Sequence, residues 1–169
     1  MRDSGPAPWA RKALSASAAV IAYTYVGFPA IVHWRARAFG RPTLVDAPSA
    51  LPSVSVVIAA HNEAASIVGK VGSILDSNYP QELIEIVVAS DGSTDQTVQA
   101  VNSIASAVVR CLDLPRVGKA AALQAGIDAT SNDILVFTDA NSIFTPDSVS
   151  RLMAPFADPD VGGVAGDQR

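Results

Sequence analysis

Two oxygen-bearing side chains stand at the end of an apolar run near the end of the sequence. In ILVFTDANSIF, residues 134–144, Asp139 and Asn141 flank Ala140. On an extended backbone both side chains point the same way, with Cα atoms about 7 Å apart. Two oxygens on one face can share a divalent cation that also binds a diphosphate. A turn that simply ends a strand would also explain the Asn-Ser pair, so the tripeptide alone leaves both interpretations open.

Three further apolar runs also lead into polar residues. They are followed by HNE at 61–63, SDGSTD at 90–95 and RVGK at 116–119. Asp91 begins an Asp-Gly pair, so the sequence is equally consistent with Asp91 as a turn residue and with Asp91 as a residue that contacts a ligand. Asp95 stands at the start of a predicted helix, where the helix dipole favours an acidic side chain.

Gly118 and Lys119 form a Gly-Lys pair at the start of another predicted helix. A P-loop would need glycine at position 113 and serine or threonine at position 120, which are Asp113 and Ala120 here. The sequence therefore excludes a Walker motif. It leaves a lysine and exposed amides at a helix N-terminus, which suit an anion with modest specificity.

Alternating strands and helices must position these residues. The spacing of Ile67, Val71, Ile74 and Leu75 predicts one apolar helical face. Strict alternation implies an α/β fold with a parallel sheet, whose ligand crevice lies beyond the carboxyl ends of its strands. The predicted strands cover residues 53–60, 84–89, 107–112, 133–138 and 161–166, and the predicted helices cover 64–77, 94–103, 119–129 and 145–153.

An apolar segment precedes this alternating part. Residues 13–34 contain no Asp, Glu, Lys or Arg, and a helix of that length spans a hydrocarbon core of about 30 Å. We predict a transmembrane anchor within residues 1–40, a proline-containing linker at 41–52 and a globular domain at 53–169. A cleaved signal peptide and a buried core helix are the alternatives, but the run is long for a signal core. Basic residues on both sides leave the orientation undecided.

The charge differs between the two parts of the chain. Residues 1–50 carry six basic and two acidic side chains, whereas residues 51–169 carry six basic and fourteen acidic ones. The acidic globular part disfavours nucleic acid as a partner. Cys111 is the only cysteine, which excludes an intramolecular disulfide and a multi-cysteine zinc site. We expect it to fill the core as a small apolar residue.

Four segments together resemble a known family. VSVVIAAHNE, VVASDGSTDQT, RVGKAAALQAG and VFTDANSIFTPDSV, in this order and spacing, resemble the nucleotide-sugar-binding half of the family 2 glycosyltransferases. The resemblance covers about Pro52 to Arg169, and YTYVGFPAIV is similar to the membrane segment of processive and lipid-acceptor members. It implies the GT-A fold, a Rossmann-like, mostly parallel sheet with helices on both faces, preceded by one transmembrane helix.

The resemblance also implies which residues bind the nucleotide. The backbone and side chains around Ala60, His61 and Glu63 would line the uridine pocket. Asp91 would accept a hydrogen bond from the uracil ring, and Lys119 would lie near the nucleotide.

The family's D-x-D element corresponds to residues 139–141. Asp139 would contact ribose or metal, and Asn141 would be a ligand to Mg²⁺ or Mn²⁺. The implied reaction is inverting transfer from a UDP-sugar to a glycan or lipid-linked acceptor. It would take place at the cytoplasmic face of the cell membrane.

The sequence departs from the family pattern in three respects. Asn141 is neutral where the D-x-D element has a second acid, a variant that many relatives also carry, and Gln124 stands where the family usually has asparagine. No element carrying the general base follows, and Asp167 comes too early for that role, so no catalytic residue is identified. We therefore expect a sheet that is incomplete at its C-terminus. The alternative to an enzyme is a truncated fragment that only binds UDP-sugar.

A phosphoacceptor signalling domain is a third class, since it also collects acids and a lysine at strand ends. Such a domain needs an adjacent acid pair after its first strand. This sequence has only Glu63 there, after His61 and Asn62.

Overall fold

The computed structural model describes residues 8–40 and 51–166, and the chain divides into two units near residue 42. Asp167 and most of the predicted linker, 41–50, lie outside the described residues. Each unit has its own architecture.

The N-terminal unit is helical throughout its described part. It comprises α1 (Pro8–Ala22), a π-helical turn (Tyr23–Gly27) and α2 (Phe28–Phe39). The wide turn ends two residues before Pro29, which lacks a backbone N–H and whose ring clashes with the preceding turn of a regular helix. Pro8–Phe39 is long and apolar enough to cross a membrane, and none of its residues is buried. The predicted apolar helix is therefore confirmed.

The second unit alternates strands and helices. Its described residues, 51–166, form four strands, all parallel, in the order β3-β2-β1-β4. In chain order the elements are β1 (Val54–Ala60), α3 (Ile67–Leu75), a 3₁₀ turn (Gln81–Leu83), β2 (Ile84–Asp91), α4 (Thr97–Asn102), β3 (Val109–Leu114), α5 (Lys119–Asp128), β4 (Ile134–Asp139), α6 (Ser148–Met153) and a second 3₁₀ turn (Ala154–Ala157).

The two faces of the sheet pack against different helices. Alternate residues such as Ile58 and Ile86 join a core that includes residues of α3, α4 and α6. The opposite face packs on α5, where a Cβ on Gly126 would lie 2.5 Å from Cγ1 of Val57. The absence of a side chain at Gly126 therefore lets α5 lie close to β1. Helices cover both faces, as the resemblance implies.

Some predicted elements are shorter, and one is wrong. Residues 161–166 form no strand, since their Gly162-Gly163 pair favours extended pairing poorly and most of the segment is exposed. Helices α3 and α4 each begin three residues later than predicted. The segments before them bond to each other instead of continuing the helices, since Ala64 N donates to the Asp95 carboxylate and Thr94 N donates to Asn62 Oδ1. Helix α6 begins at Ser148, after a turn in which Ser148 N donates to the Thr145 carbonyl. Cys111 is half-buried against the core, as expected, and burial raises the pKa of its thiol.

Candidate functional site

A cavity of about 340 Å³ opens at the carboxyl ends of the strands. A volume of this size falls in the range of small-molecule sites. It is lined by all seven site residues predicted from the sequence, Ala60, His61, Glu63, Asp91, Lys119, Asp139 and Asn141, together with Ala59, Arg116, Gly118 and Ala140. The parallel sheet brings these residues to one edge because every strand ends on the same side.

Asp91 is a charged group held mainly by backbone amides. It is 5% exposed, and its Oδ1 accepts hydrogen bonds from Val117 N at 2.6 Å and Gly118 N at 2.9 Å. These bonds, first that from Val117, lower the pKa of Asp91, with a further contribution from Arg116. The Nε of Arg116 lies 3.7 Å from Oδ2, too far for a hydrogen bond. Oδ2 can therefore still accept a hydrogen bond from a ligand.

Glycine is required where the turn after β2 meets the segment before α5. Gly92 has φ +61°, and a Cβ there would lie 2.7 Å from Arg116 N. Gly118 has φ +90°, a conformation that other residues rarely adopt. The two glycines permit the close approach that allows Asp91 to reach the amides of this segment.

The loop after β1 is fixed to the loop after β2. His61 Nδ1 donates to the Asp91 carbonyl at 2.8 Å, since a carbonyl oxygen can only accept. Asn62 adopts a left-handed φ of 55°, and its Oδ1 accepts a hydrogen bond from Thr94 N at 2.8 Å. The left-handed conformation is one that asparagine tolerates better than most residues. His61 is thereby held at the edge of the cavity.

Asp95 and Thr97 complete this connection. Thr97 Oγ1 accepts a hydrogen bond from Glu63 N at 2.8 Å, and Asp95 accepts one from Ala64 N at 3.2 Å. Asp95 also accepts from the hydroxyl and amide of Thr97, and these contacts lower its pKa. Asp95 does not line the cavity, whereas Glu63 does, with its carboxylate accepting a hydrogen bond from Ser66 Oγ at 2.6 Å.

The tripeptide 139–141 sits at the end of β4, with its polar side chains outward. Ala140 is 3% exposed and belongs to the core, while Asp139 and Asn141 are exposed and line the cavity. Lys119 Nζ lies 2.7 Å from Asp139 Oδ1, and both side chains are mostly accessible to solvent. The ion pair is therefore weak, so a ligand can readily displace it.

The donor chemistry at this position fits a hard divalent cation. Asp139 and Asn141 offer carboxylate and amide oxygens, the ligand type that Mg²⁺ and Mn²⁺ prefer. Within residues 8–40 and 51–166 no group of three or more His, Cys, Asp or Glu side chains could hold a metal. A cation here would thus depend on oxygens of a bound phosphate and of water, as Mg²⁺ sites commonly do.

Two basic residues near the site were not predicted from the sequence. Arg116, in the RVGK segment at 116–119, lines the cavity. Lys70 lies on α3 behind the 139–141 turn and is fully buried, and its burial lowers its pKa to about 8. A signal for Lys70 was present, because the residue falls in the apolar stripe of Ile67, Val71 and Ile74.

Solved structures share this fold. The mannosyltransferase PcManGT from Pyrobaculum calidifontis, in complex with GDP-Man and Mn²⁺, superposes with a TM-score of 0.70 at 30% identity, covering 88% of this chain and 46% of that one. TarS of S. aureus, solved with UDP-GlcNAc, has a TM-score of 0.53 at 22% identity over 59% of this chain and 29% of that one, which shows the fold alone.

Curated sequences agree with the structural comparison. An N-acetylglucosaminyltransferase of Rhizobium meliloti is 36% identical over 121 residues, 69% of this chain and 28% of that protein. The poly-beta-1,6-N-acetyl-D-glucosamine synthase of Staphylococcus epidermidis (strain RP62A) is 28% identical over 135 residues, 78% of this chain and 32% of that protein. The chain thus spans less than a third of the length of these two relatives. Residues 55–169 match the family model for Glycosyl transferase family 2, and with its GT-A fold this chain belongs to the family 2 glycosyltransferases.

Proposed function

We propose that this chain binds the donor of an inverting, membrane-anchored glycosyltransferase that uses a UDP-sugar and a divalent cation. The proposal rests on one observation: Asp91, Lys119 and the 139–141 turn line the same cavity. Its two ends have different chemistry. One end offers a hydrogen-bond acceptor for a base, and the other offers a lysine and oxygen ligands for a diphosphate with its cation.

At the base end, Asp91 reads the uracil ring. Its Oδ1 is occupied by the amides of Val117 and Gly118, so Oδ2 accepts a hydrogen bond from the uracil N3–H. His61 is oriented by the Asp91 carbonyl and, with Ala60 and Glu63, forms the wall against which uridine lies.

At the diphosphate end, Asp139 and Asn141 hold the cation, and Lys119 lies near the phosphates. When bound, the cation supplies positive charge that stabilises the leaving UDP. Lys119 leaves its ion pair with Asp139 and donates to a phosphate oxygen instead. Because Asn141 is neutral, the site holds the cation less tightly than a pair of carboxylates would.

The second candidate is UDP-sugar binding without transfer. Inverting transfer needs a carboxylate that accepts the proton of the acceptor hydroxyl. The carboxylates that line the cavity have other roles in this proposal: Asp91 accepts from the base, Asp139 faces the cation, and Glu63 accepts from the Ser66 hydroxyl beside the uridine. The described residues thus leave the base unassigned, and this favours a chain that binds the donor and receives its acceptor and base from elsewhere.

The apolar helix would anchor the chain in the cell membrane. Arg35 and Arg37 follow its apolar core and precede the globular unit. Arg11 and Lys12 precede this core, so basic residues stand on both sides of it and their charge does not decide the orientation. The resemblance to the family 2 glycosyltransferases implies a cytoplasmic catalytic unit, and on that ground we propose that the donor-binding unit lies in the cytoplasm, with a glycan or lipid-linked acceptor reached at the membrane. Digestion of the globular unit by protease in inverted vesicles, but not in intact spheroplasts, tests this orientation. The reverse pattern would refute it.

Calorimetry of the full chain in detergent tests the proposed ligand. We expect UDP to bind with Mn²⁺ present and more weakly without it. Asp139→Ala should remove most of the effect of Mn²⁺ on the affinity for UDP. Asp133→Ala should leave that effect unchanged, because Asp133 is exposed and immediately precedes β4, at the opposite end of the strand from Asp139. Turnover of a UDP-sugar distinguishes transfer or hydrolysis from binding alone. Tighter binding of GDP than UDP would contradict the choice of nucleotide, and no binding of either would contradict the proposal itself.

A further inference from the structure

Lys70 is a buried cation without a carboxylate partner. Its side chain is 0% exposed, and in the described part of the chain it takes part in no ion pair. Its Nζ instead donates to two hydroxyls, those of Thr138 at 2.8 Å and Ser142 at 3.1 Å. The ammonium also lies 3.6 Å from the centroid of the Phe144 ring, a cation–π contact.

The two hydroxyls lie on either side of the turn that carries the proposed cation ligands. Thr138 immediately precedes Asp139, and Ser142 immediately follows Asn141. The Ser142 hydroxyl lies 3.1 Å from that of Thr138 and within hydrogen-bond distance, also 3.1 Å, of the Asp139 carbonyl. One ammonium thus joins both ends of the turn and closes it from the side opposite the cavity.

Helix α3 holds the same segment at a second point. Phe144 N donates to Ser73 Oγ at 3.1 Å, and Ser73 Oγ donates to the carbonyl of Lys70 at 2.8 Å. Lys70 and Ser73 lie three residues apart on one helical face. The position of the turn relative to the sheet therefore depends on α3 as well as on β4.

Stability does not explain this lysine. The hydrogen-bond partners of the buried ammonium are neutral, and the charge of Asp139 only partly offsets the desolvation that lowers the pKa of Lys70. Replacing a buried charge by an apolar group of similar volume is often neutral or stabilising. The rest of the apolar stripe of α3, including Ile67 and Val71, is aliphatic. What Lys70 adds to the stripe is a set of directed hydrogen bonds.

We propose that Lys70 is a positioning residue, which holds Asp139 and Asn141 in the geometry that binds the cation and diphosphate of the donor. The inference rests on the proposed function and adds to it a residue that does not touch the ligand. Its side chain contacts Thr138, Ser142 and the Phe144 ring and does not line the cavity, so it acts on the ligand through the turn and through its charge near Asp139.

Lys70→Met tests this role, since methionine keeps an unbranched side chain but removes the ammonium. In calorimetry on the full chain in detergent, we expect the affinity for UDP with Mn²⁺ to fall about 10- to 100-fold, as for other residues that orient metal ligands. The affinity for uridine, which lacks phosphates, should change less than about twofold, because distant sites are nearly independent. The thermal midpoint should stay the same or rise.

Ser142→Ala provides a second variant with a smaller perturbation. It removes one acceptor of Lys70, and it should weaken UDP with Mn²⁺ while sparing uridine, even if the methionine variant does not fold. Ser77→Ala is the matched control, since within the described chain the buried Ser77 hydroxyl has no hydrogen-bond partner. It should leave both affinities unchanged.

The outcomes separate this inference from the proposed function. An unmodified chain that binds no UDP contradicts the proposed function, and the inference fails with it. If the unmodified chain binds UDP, then unchanged UDP affinity in the folded variants, or equal losses for uridine and UDP, overturns the role of Lys70 alone.

Discussion

Replacing Asp91 with asparagine should change which base the cavity accepts. Val117 N and Gly118 N both donate to Oδ1, at 2.6 and 2.9 Å. An asparagine must therefore turn its oxygen toward these amides, since its NH₂ group would face two donors otherwise. The NH₂ group then takes the place of Oδ2 and faces the ligand.

The size of the effect follows from the bond that is lost. A hydrogen bond to a charged group contributes about 1.5–3 kcal/mol, and 1.4 kcal/mol corresponds to a factor of ten. We therefore expect Asp91→Asn to weaken UDP about 10- to 150-fold. Cytosine has an acceptor at N3 where uracil has a donor, so CDP should lose no affinity and should gain about 2- to 10-fold from one neutral hydrogen bond.

Calorimetry with UDP and CDP in the presence of Mn²⁺ measures this exchange. Asp113→Asn is the control, because Asp113 is exposed on the neighbouring strand and does not line the cavity, so the same change of charge should alter neither affinity. If the affinities for UDP and CDP fall equally, Asp91 stabilises the loop without contacting the base. An unchanged UDP affinity would refute the assignment of uracil to this end.

Three further predictions concern the packing that positions the site. Gly126→Ala places a Cβ 2.5 Å from a valine of β1 and should lower the free energy of unfolding by about 1–3 kcal/mol. Gly72→Ala, in α3, should raise the free energy of unfolding by about 0.5–1 kcal/mol, because no atom outside the local helix backbone lies within 4 Å of the new Cβ. Urea titration measures both variants, and equal effects of the two alanines would contradict the close packing of α5. Tyr79→Phe removes the hydrogen bond from the buried hydroxyl to the Pro52 carbonyl, 2.5 Å away, and should lower the free energy of unfolding by about 0.5–1.5 kcal/mol. Tyr25→Phe, on the exposed helix, is the control, and an equally large loss of stability there would show that the hydrogen bond is not the cause.

The alternating order of strands and helices was predictable because the spacing of apolar residues that distinguishes a strand from a helix extends over only a few neighbouring residues. Strands β1 and β2 are largely apolar, as is typical of parallel strands buried on both faces, and the neighbouring Val57 and Ile58 are both fully buried. The same kind of local pattern gave a wrong prediction at residues 161–166, where valines suggested a strand. Whether a strand forms there depends on a neighbour to pair with, and Gly162-Gly163 adds little to extended pairing.

The members of the site were predictable, but its supporting contacts were not. Asp139 and Asn141 could be found because their types and spacing suit a cation, and strand order then brought them to the edge that Asp91 shares. The amides that hold Asp91 belong to residues 26 and 27 positions away, a contact that no local pattern encodes. Lys70 violates the apolar stripe of its helix, and only the structure shows that its partners surround the turn.

A crystal structure of the chain with UDP and Mn²⁺ would locate both ends of the donor. We expect uracil N3 to lie about 3 Å from Asp91 Oδ2, and the metal to be bound by an oxygen of Asp139 and by the diphosphate. Lys119 should have left Asp139 for a phosphate oxygen. UDP bound away from this cavity, or a diphosphate without contact to residues 139–141, would contradict the proposed donor site.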